Sequence, residues 1–473
     1  MKYDVVIIGS GLGGLACGSI LAEAGFRVCI LERSSQLGGC LQSYRREGLD
    51  YDTGLHYVGG LNEGGSLHDT FARLHLLELP WQRMDERFDH VLLGDRHFAL
   101  AQGFGRFVET LSGDFPHQRE QLQRFADRIR RPSMEDMDVS AWTYLHECFQ
   151  DEELIQVLGA TAMRVGLHRE SLPFFSLAHA LSSYIESSWR LRGCGNLIVE
   201  RLARTIRDGG GELRCRHEVT GLKIAGGRVE AAMCADGSII EAGNIICDAH
   251  PSLLTRLLEG LPVRKSYLQR LCSGENTFGI FTLSLRLRPD AIPYFNHNAY
   301  VFRRGTDVWL PEEHGEGAAA VMLSCRVPED GSPYARQVDL LSPMAWDTCL
   351  PWETTTVGHR GADYDRFCHV HGESCLQLAE HYLPGLSSAV ERRYTSSPLT
   401  YRDYLAAPQG SAFGLRKDWR CPLQTFLSVR TPLSNLFLTG QSLVLPGIEG
   451  TARTALQTCS AILGDQTINM IQQ

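Results

Sequence analysis

Three glycines and one acidic residue near the start of the chain have the spacing of a site for a nucleotide diphosphate. Gly9, Gly11 and Gly14 follow an apolar run and open a helical pattern, and Glu32 ends a second apolar run 23 residues beyond Gly9. In a strand–helix–strand unit, such glycines permit a tight turn, close approach of a pyrophosphate, and close packing of helix on strand. The helix N-terminus attracts phosphate oxygens, and the acid accepts hydrogen bonds from ribose hydroxyls. Because all parts are in order, we predict a dinucleotide-binding unit rather than an ordinary glycine turn.

The residues after Glu32 favour one dinucleotide. Arg33 follows directly, and the pair Gly38-Gly39 comes six residues after Glu32. A second glycine pair gives the backbone another close approach to the cofactor, which flavoproteins with tightly held FAD use and plain nicotinamide dehydrogenases generally do not need. A carboxylate at position 32 also disfavours the additional phosphate of NADP. The sequence therefore predicts FAD.

A second glycine-rich turn lies late in the chain. An apolar run ends at Gly440-Gln441, and residues 446–451 then open a helical pattern over residues 452–463. A helix opened by glycine presents N–H donors and the positive end of its dipole to an anionic group. In a flavoenzyme, that group is the N1/C2=O edge of the reduced isoalloxazine ring. The alternative is a helix that only packs against its domain.

The length, charge and hydropathy of the chain limit its domain organisation and the classes of partner it can have. The chain has 473 residues, which exceeds one compact core and predicts two closely joined domains. Its formal net charge of -9 at pH 7 argues against a nucleic-acid partner. No run approaches 18 uncharged apolar residues, so we predict no transmembrane helix.

The start of the chain and the cysteines predict a cytoplasmic location. The first strand pattern begins at Tyr3, so we expect no signal or transit peptide. The 15 cysteines form no CxxC pair, and their odd number and scatter are typical of reduced thiols. The apolar segment 172–181 could line a lipid tunnel or touch a membrane surface, although a buried core segment is the favoured interpretation. Peripheral membrane contact stays an alternative.

One cluster of cysteines and histidines has short spacings that a metal site could use. Cys368, His369, His371, Cys375 and His381 lie within one stretch. Apolar residues recur through that stretch at helical spacing, and no second pair of ligands lies nearby in the sequence. We therefore predict no metal.

The chain alternates between two kinds of pattern, which predicts two discontinuous domains. Strand and helix alternate at the start and again after residue 193, whereas residues 61–189 look mostly helical and residues 279–325 alternate like antiparallel strands. We predict an α/β protein with a Rossmann-like, parallel-sheet FAD-binding domain and an α+β substrate domain of antiparallel sheet plus helices. The predicted ranges are 1–75, 190–255 and 400–473 for the FAD-binding domain and 76–189 and 256–399 for the substrate-binding domain.

Taken in order, these segments resemble the FAD-dependent amine oxidase and phytoene desaturase superfamily. The likeness rests on GSGLGGLACGSILAEAGFRVCILER from residue 9, DTGLHYVGG from residue 52, RGCGNLIVERLARTIRDGGGEL from residue 192, and LFLTGQ and PGIEGTARTALQTCSAILG late in the chain. Within it, the chain is most similar to the retinol saturase and carotenoid isomerase subgroup, for which DTGLHYVGG is the most telling segment. The resemblance implies an FAD-binding domain of the glutathione-reductase type.

The resemblance also implies which residues bind FAD. They are Gly9, Ser10, Gly11, Leu12, Gly13, Gly14, Glu32, Arg33, Gly39, Leu55, His56, Tyr57, Val219, Gly440, Gln441, Gly450 and Thr451. Two features depart from the pattern. Cys40 stands where many relatives carry arginine, which puts one phosphate contact in doubt. We also expect no membrane-targeting N-terminus of the kind that animal retinol saturases carry, so their localisation does not carry over.

The implied reaction is hydride transfer between flavin N5 and an alkene carbon of an apolar polyene-like or isoprenoid-like substrate, by a saturase or a desaturase. The neighbouring carbon needs a proton, and His56 and Tyr57 are the candidate catalytic donors, although His56 could instead only shape the flavin loop. A redox-neutral carotenoid-type isomerase would share every motif; an amine oxidase and a non-catalytic flavin-binding protein are further alternatives. The expected partners are an apolar small molecule and an electron donor or acceptor that the sequence does not identify.

Overall fold

The computed structural model describes residues 2–260, 263–312 and 317–464. Two seven-stranded sheets organise these residues. One is built around parallel strands and the other around antiparallel strands, and we call them the parallel sheet and the antiparallel sheet. The fold is therefore mixed α/β, as the sequence predicted.

The parallel sheet contains the glycine-rich start of the chain. Strand Tyr3–Ile8 lies between Val28–Leu31 and Ile239–Cys247 and is parallel to both. Its apolar side chains are buried, as in a parallel sheet covered by helices. The late strand Leu436–Leu438 pairs with Ile239–Cys247, so the sheet joins segments from the beginning, middle and end of the sequence. The full order is Glu212–Arg214, Val28–Leu31, Tyr3–Ile8, Ile239–Cys247, Arg228–Cys234 and Val219–Ala225, with Leu436–Leu438 beside Ile239–Cys247.

Helix Leu12–Glu23 is buried over nearly its whole length. The parallel sheet, helix Asn196–Asp208 and helix Gly447–Leu463 all pack against it. Small residues make this close packing feasible, since a β-carbon at Gly18 would lie 2.9 Å from a methyl group of Ile30. The sheet therefore holds the N-terminus of this helix in a fixed position at its edge.

The antiparallel sheet separates two hydrophobic clusters. Alternate strand residues face opposite sides, so that Ile280 packs with the helices of residues 104–186 while Phe281 packs with helix Ala362–Tyr382. The strand order is Val390–Ser396, Gly279–Leu287, Gln337–Met344, Ala320–Cys325, Asn298–Phe302, Arg87–Leu93 and Arg96–Ala101; Asn298–Phe302 and Arg87–Leu93 are parallel and the other neighbours antiparallel.

Two small sheets and further helices complete the fold. The small sheets pair Ser43–Arg46 with Leu49–Asp52, and Ser188–Leu191 with both Val58–Gly59 and Trp81–Arg83. The other α-helices are His68–Arg73, Phe104–Asp114, Arg119–Ile129, Ala141–Cys148, Glu152–Ala160, Phe174–Glu186, Pro251–Leu257, Lys265–Cys272, Leu386–Ala389, Pro398–Leu405 and Pro422–Thr425. Within the described ranges, no helix has both the length and the apolar character needed to cross a bilayer.

The prediction that residues 61–189 are mostly helical is wrong in part. Strands Trp81–Arg83, Arg87–Leu93 and Arg96–Ala101 lie within this range. Arg87–Leu93 finds one of its partners in Asn298–Phe302, far along the chain. Short strands are stabilised by such cross-strand packing more than by intrinsic preference, so local sequence carried little sign of them.

Two element boundaries also differ from the prediction. Helix Gly447–Leu463 begins before residue 452, because Gly447 and Gly450 are already in its first turn. Gly450 is needed there, since a β-carbon would lie 2.1 Å from the carbonyl oxygen of Leu445. The apolar residues 239–240 and the segment 243–248 predict two separate strands, but strand Ile239–Cys247 is continuous, pairing antiparallel at its start and parallel at its end.

The strands of the two sheets come from different parts of the chain. Those of the parallel sheet lie within ranges 1–75, 190–255 and 400–473, and those of the antiparallel sheet within 76–189 and 256–399. The exact domain boundaries stay a prediction.

Candidate functional site

Four neighbouring parallel strands end at one edge of the parallel sheet. Ile8 is in register with Leu31 on one side and with Cys247 on the other, and Cys247 is in register with Leu438. The next residue on each strand is Gly9, Glu32, Asp248 and Thr439, respectively. Open α/β sheets bind ligands at the carboxyl ends of such strands. The predicted glycine loop, the predicted acid and the late glycine turn therefore meet at one crevice.

The first glycine loop is closely packed on its protein side. Gly9 has φ +98°, a conformation that favours glycine. A β-carbon at Gly14 would lie 2.3 Å from the Gly9 carbonyl oxygen, so this position must lack a side chain. The second glycine pair folds onto the loop: Gly38 N donates to the Ser10 carbonyl oxygen at 3.0 Å, and a β-carbon at Gly39 would lie 3.1 Å from Gly11 Cα.

Glu32 is buried and hydrogen-bonded to its surroundings. Its Oε2 accepts from Ser10 N at 3.0 Å and Ser10 Oγ at 2.6 Å, and its Oε1 accepts from Ser34 N at 2.8 Å. These bonds hold the carboxylate at the crevice while leaving lone pairs for a ribose hydroxyl. Arg33 is more exposed, and its Nη2 donates to the Asp403 carbonyl oxygen at 2.8 Å.

One cavity of about 670 Å³ contains this crevice. All the predicted cofactor-binding residues except Gly14 and Leu55 line it. Leu55 is buried in the hydrophobic cluster around helix Leu12–Glu23, although the neighbouring His56 faces the cavity. A cofactor contact from Leu55 or Gly14 stays a prediction.

The wall opposite the crevice is apolar. Ile280, Met322 and Leu341 project into the cavity from three adjacent strands of the antiparallel sheet, and Tyr401 and Phe413 extend this wall. The cavity thus joins a hydrogen-bonding, glycine-lined crevice to a surface on which an apolar molecule can lie.

His56 presents an unpaired polar atom to the cavity. Its Nε2 is buried and has no hydrogen-bond partner in the part of the chain that the structure describes. Burial lowers the pKa of His56 to about 4, an effect that the charge of Asp52 opposes. The ring is therefore neutral near pH 7, and Nε2 is available to a bound ligand.

The hydroxyl group of Tyr57 belongs to a buried polar cluster. It donates to Asp89 Oδ2 at 2.9 Å, lies 2.6 Å from the Tyr300 hydroxyl, and accepts from Arg164 Nη1 at 2.6 Å. Arg164 Nη1 also donates to Asp89 Oδ2 at 3.0 Å, and Asn298 Nδ2 donates to Asp89 Oδ1 at 3.0 Å. Burial raises the pKa of Tyr57 well above its usual value. Tyr57 therefore offers the cavity its ring, whereas its hydroxyl is engaged inside the protein.

Several polar residues that the sequence reasoning missed also line the cavity: Arg164, His179, Tyr184, Asp248 and Glu449. Glu449 Oε1 lies 3.0 Å from Arg453 Nη2 and 4.0 Å from His179 Nδ1. Burial raises the pKa of Glu449 and lowers that of His179 to about 4. Glu449 lay within a segment already singled out, but nothing local distinguished Arg164, His179 or Asp248.

The cysteine–histidine stretch forms part of helix Ala362–Tyr382. Cys368, His371 and Cys375 are buried there against the antiparallel sheet. Among the described residues, no group of three or more histidine, cysteine, aspartate or glutamate side chains is arranged to hold a metal ion.

Comparison with known sequences finds relatives along most of the chain. A family model described as an NAD(P)-binding Rossmann-like domain matches residues 7–74. The all-trans-retinol 13,14-reductase of Macaca fascicularis is 27% identical over 98% of this chain and 86% of its own length. The phytoene desaturase (neurosporene-forming) of Cereibacter sphaeroides is 23% identical over 94% and 92%, and the chloroplastic prolycopene isomerase of Daucus carota is 23% identical over 87% and 71%. These matches confirm the resemblance inferred from the motifs.

Solved structures confirm the fold. An oxidoreductase from Methanosarcina mazei superposes with a TM-score of 0.68 at 16% identity, covering 96% of this chain and 99% of its own. A triple mutant of putrescine oxidase also gives a TM-score of 0.68 at 16% identity, with 98% and 99% coverage. At this identity, the likeness concerns the fold alone.

Proposed function

We propose that this chain, a homologue of the all-trans-retinol 13,14-reductases, phytoene desaturases and prolycopene isomerases, is an FAD-dependent oxidoreductase that saturates or desaturates a carbon–carbon double bond of an apolar, polyene-like substrate. One observation carries the proposal. A single cavity joins the glycine crevice at the strand ends to the apolar wall formed by Ile280, Met322 and Leu341. A dinucleotide and an apolar molecule can therefore meet inside it.

The residues at the crevice fit FAD. β-carbons at Gly11 and Gly13 would lie 2.6 and 2.4 Å from the carboxyl oxygens of Asp248, so both positions must lack a side chain, and the loop leaves its backbone open to a pyrophosphate. Glu32 is held in place for a ribose, and helix Gly447–Leu463 begins at the cavity with its positive end. FAD bound here would supply a hydride donor or acceptor at its N5 atom.

The chain's own residues would bind, orient and shield the substrate. The apolar wall would align a polyene and exclude water from it, which strengthens electrostatic interactions in the site. His56 and Tyr57 remain the proposed proton-transfer candidates. The hydroxyl group of Tyr57 is hydrogen-bonded inside the protein, whereas His56 Nε2 has no hydrogen-bond partner among the described residues. Because the imidazole is neutral, it can accept a proton at Nε2 or position a water that donates one.

The test begins with the cofactor and ends with the product. Protein purified without oxygen should carry a yellow chromophore with a flavin absorption spectrum, released on mild unfolding. Dithionite-reduced protein should then convert a member of a retinoid or carotenoid panel into a product with two additional hydrogen atoms, detected by mass spectrometry; a desaturase should instead remove two with the oxidised protein. Protein that neither contains nor takes up flavin would overturn the proposal.

A redox-neutral isomerase is the second candidate. The match to the prolycopene isomerase of Daucus carota favours it, since that relative covers 87% of this chain. The same panel separates the two functions, because an isomerase yields a product of unchanged mass and altered retention time.

An amine oxidase is less well supported by the site. We expect such an enzyme to place a lysine beside the flavin, and no lysine lines the cavity in the described ranges. Lys417 is buried elsewhere: its Nζ donates to the carbonyl oxygens of Thr425, Ser442 and Leu443 at 2.7, 2.7 and 3.0 Å. Its ammonium group therefore secures the loop after Gln441 and is not available to the cavity.

A further inference from the structure

Asp248 places a carboxyl group in the crevice between the early and late glycine turns. Its backbone N donates to the Ile8 carbonyl oxygen at 2.8 Å, which fixes it at the strand ends. Oδ2 lies 2.6 Å from the position of a β-carbon at Gly11, and Oδ1 lies 2.4 and 2.9 Å from those at Gly13 and Gly440. Glycines at these three positions therefore make room for the Asp248 carboxyl group.

No cation in the described part of the chain pairs with Asp248. Its Oδ2 is buried without a hydrogen-bond partner of good geometry, and no ion pair involves it. The groups around it are Glu32 from the neighbouring strand end, and the thiols of Cys17, Cys40 and Cys247. Among the described residues, the groups that offer it positive charge are the backbone N–H groups of Gly11 and Gly14, at the N-terminus of helix Leu12–Glu23.

Those N–H groups are the same donors that a pyrophosphate would use. An ionised carboxylate and a pyrophosphate at one helix N-terminus repel each other, whereas a carboxylic acid can donate a hydrogen bond to a phosphate oxygen. We infer that a dinucleotide pyrophosphate binds at this crevice with uptake of one proton by Asp248, so that this residue sets the pH dependence of cofactor affinity. The inference rests on the dinucleotide site of the proposed function.

The electrostatic surroundings of the Asp248 carboxyl group favour this proton uptake. Burial raises the pKa of Asp248 to about 7, the charge of Glu32 raises it further, and the N–H groups of Gly11 and Gly14 oppose the rise. Protonation near neutral pH is therefore easy. A bound pyrophosphate raises the pKa again, so affinity should fall as pH rises above about 7, by up to about tenfold per pH unit.

The experiment measures FAD affinity by equilibrium dialysis and calorimetry between pH 6 and 9. The wild type should bind progressively more weakly above pH 7, with uptake of close to one proton, read from the heats in buffers of different ionisation enthalpy. Asp248→Asn should bind with nearly constant affinity, more tightly than the wild type at pH 8.5, and with little proton uptake. Asp4→Asn is the matched control, because Asp4 lies at the opposite end of strand Tyr3–Ile8, exposed and paired with Arg27.

The inference is overturned if the wild type takes up no proton, or if Asp248→Asn keeps the wild-type slope or binds more weakly at every pH. A wild-type proton count near zero overturns the inference even if the variant fails to fold. Titration with NAD separates this inference from the proposed function. Binding of NAD but not FAD, with a pH dependence that Asp248→Asn removes, would overturn the assignment of FAD and support the inference about Asp248. Binding of FAD without proton uptake would support the assignment of FAD and overturn the inference.

Discussion

The hydroxyl group of Tyr57 donates a hydrogen bond to Asp89 Oδ2 at 2.9 Å, and so ties the loop that carries His56 to the antiparallel sheet. Asp89 is completely buried, and its charge depends on this donor together with Arg164 and Asn298. The loop that faces the cavity is therefore anchored from behind.

Tyr57→Phe should lower the free energy of unfolding by about 1–3 kcal/mol, because it leaves a buried carboxylate one donor short. Urea denaturation followed by circular dichroism measures the change. Tyr404→Phe is the control: Tyr404 also lines the cavity but is 52% exposed, and its loss should change stability little. Equal effects of the two substitutions would contradict the proposed anchoring.

Gly11→Ala should weaken dinucleotide binding by at least about tenfold, which corresponds to about 1.4 kcal/mol. The added β-carbon would lie 2.6 Å from Asp248 Oδ2, so the loop or the carboxyl group must move. Gly105→Ala makes the same change in the exposed first turn of helix Phe104–Asp114, with no atom within 4 Å. It should leave binding unchanged and raise stability by about 0.4–1 kcal/mol. Fluorescence titration with flavin measures the binding affinity of both variants. Unaltered binding by Gly11→Ala would show that the loop does not contact the cofactor.

Asp52 and Arg326 form a buried ion pair between the start of the His56 loop and the antiparallel sheet, with side chains 4% and 12% exposed. Asp52 Oδ1 also accepts from Gly195 N at 2.7 Å. Arg326→Met should destabilise the protein by about 3–5 kcal/mol, because it leaves Asp52 charged and buried. In a double-mutant cycle with Asp52→Asn, the two changes should be non-additive by more than about 1 kcal/mol.

The exposed pair Arg366–Asp363 supplies the comparison for that cycle, with side chains 73% and 82% exposed. Its coupling energy should lie at roughly 0–1 kcal/mol. Additive effects at Asp52 and Arg326 would mean that the buried pair does not join the loop to the sheet energetically.

His371 should contribute to loss of stability in mild acid. Burial lowers its pKa from 6.5 to about 4. Between pH 6.5 and pH 4, the His371 ring therefore stays neutral in the folded protein but takes up a proton in the unfolded chain. The unfolded state binds more protons in this window, and the free energy of unfolding therefore falls as pH falls, by up to about 1.4 kcal/mol per pH unit. Between pH 7 and pH 5, His371→Phe should lose up to about 2 kcal/mol less stability than the wild type.

His381→Gln serves as the control for this titration, since His381 is exposed on the same helix, Ala362–Tyr382. Denaturation curves collected at pH 5, 6 and 7 should show the same change in the free energy of unfolding with pH for this variant and the wild type. A parallel loss in all three proteins would assign the acid sensitivity to other groups.

The parts of the site that the sequence predicted are those determined locally. Gly9, Gly11, Gly14 and Glu32 belong to one strand–helix–strand unit, whose spacing follows from the lengths of its elements. The late turn at Gly440 could be assigned for the same reason, since a strand, a glycine and a helix follow one another directly. All of these residues except Gly14 line the same cavity in the structure.

The parts that the sequence could not predict depend on contacts between distant segments. Asp248 reaches the glycine loop only because strand Ile239–Cys247 pairs in register with Tyr3–Ile8. Arg164 lines the cavity because Asp89 and Tyr300, on two other strands, hold its guanidinium group. Leu55 was assigned to the cofactor site from the resemblance alone, and its side chain packs in the hydrophobic cluster around helix Leu12–Glu23.

The strand ends at Ile8, Leu31, Cys247 and Leu438 also set the order of events during biosynthesis. At translation rates of about 5–20 residues per second, the last of these strands leaves the ribosome roughly 20–90 s after the first. A nascent chain therefore holds its first glycine turn with an incomplete pocket for most of its synthesis. The crevice is complete only once Leu436–Leu438 has paired with Ile239–Cys247, and a dinucleotide that needs the whole crevice would bind after that step.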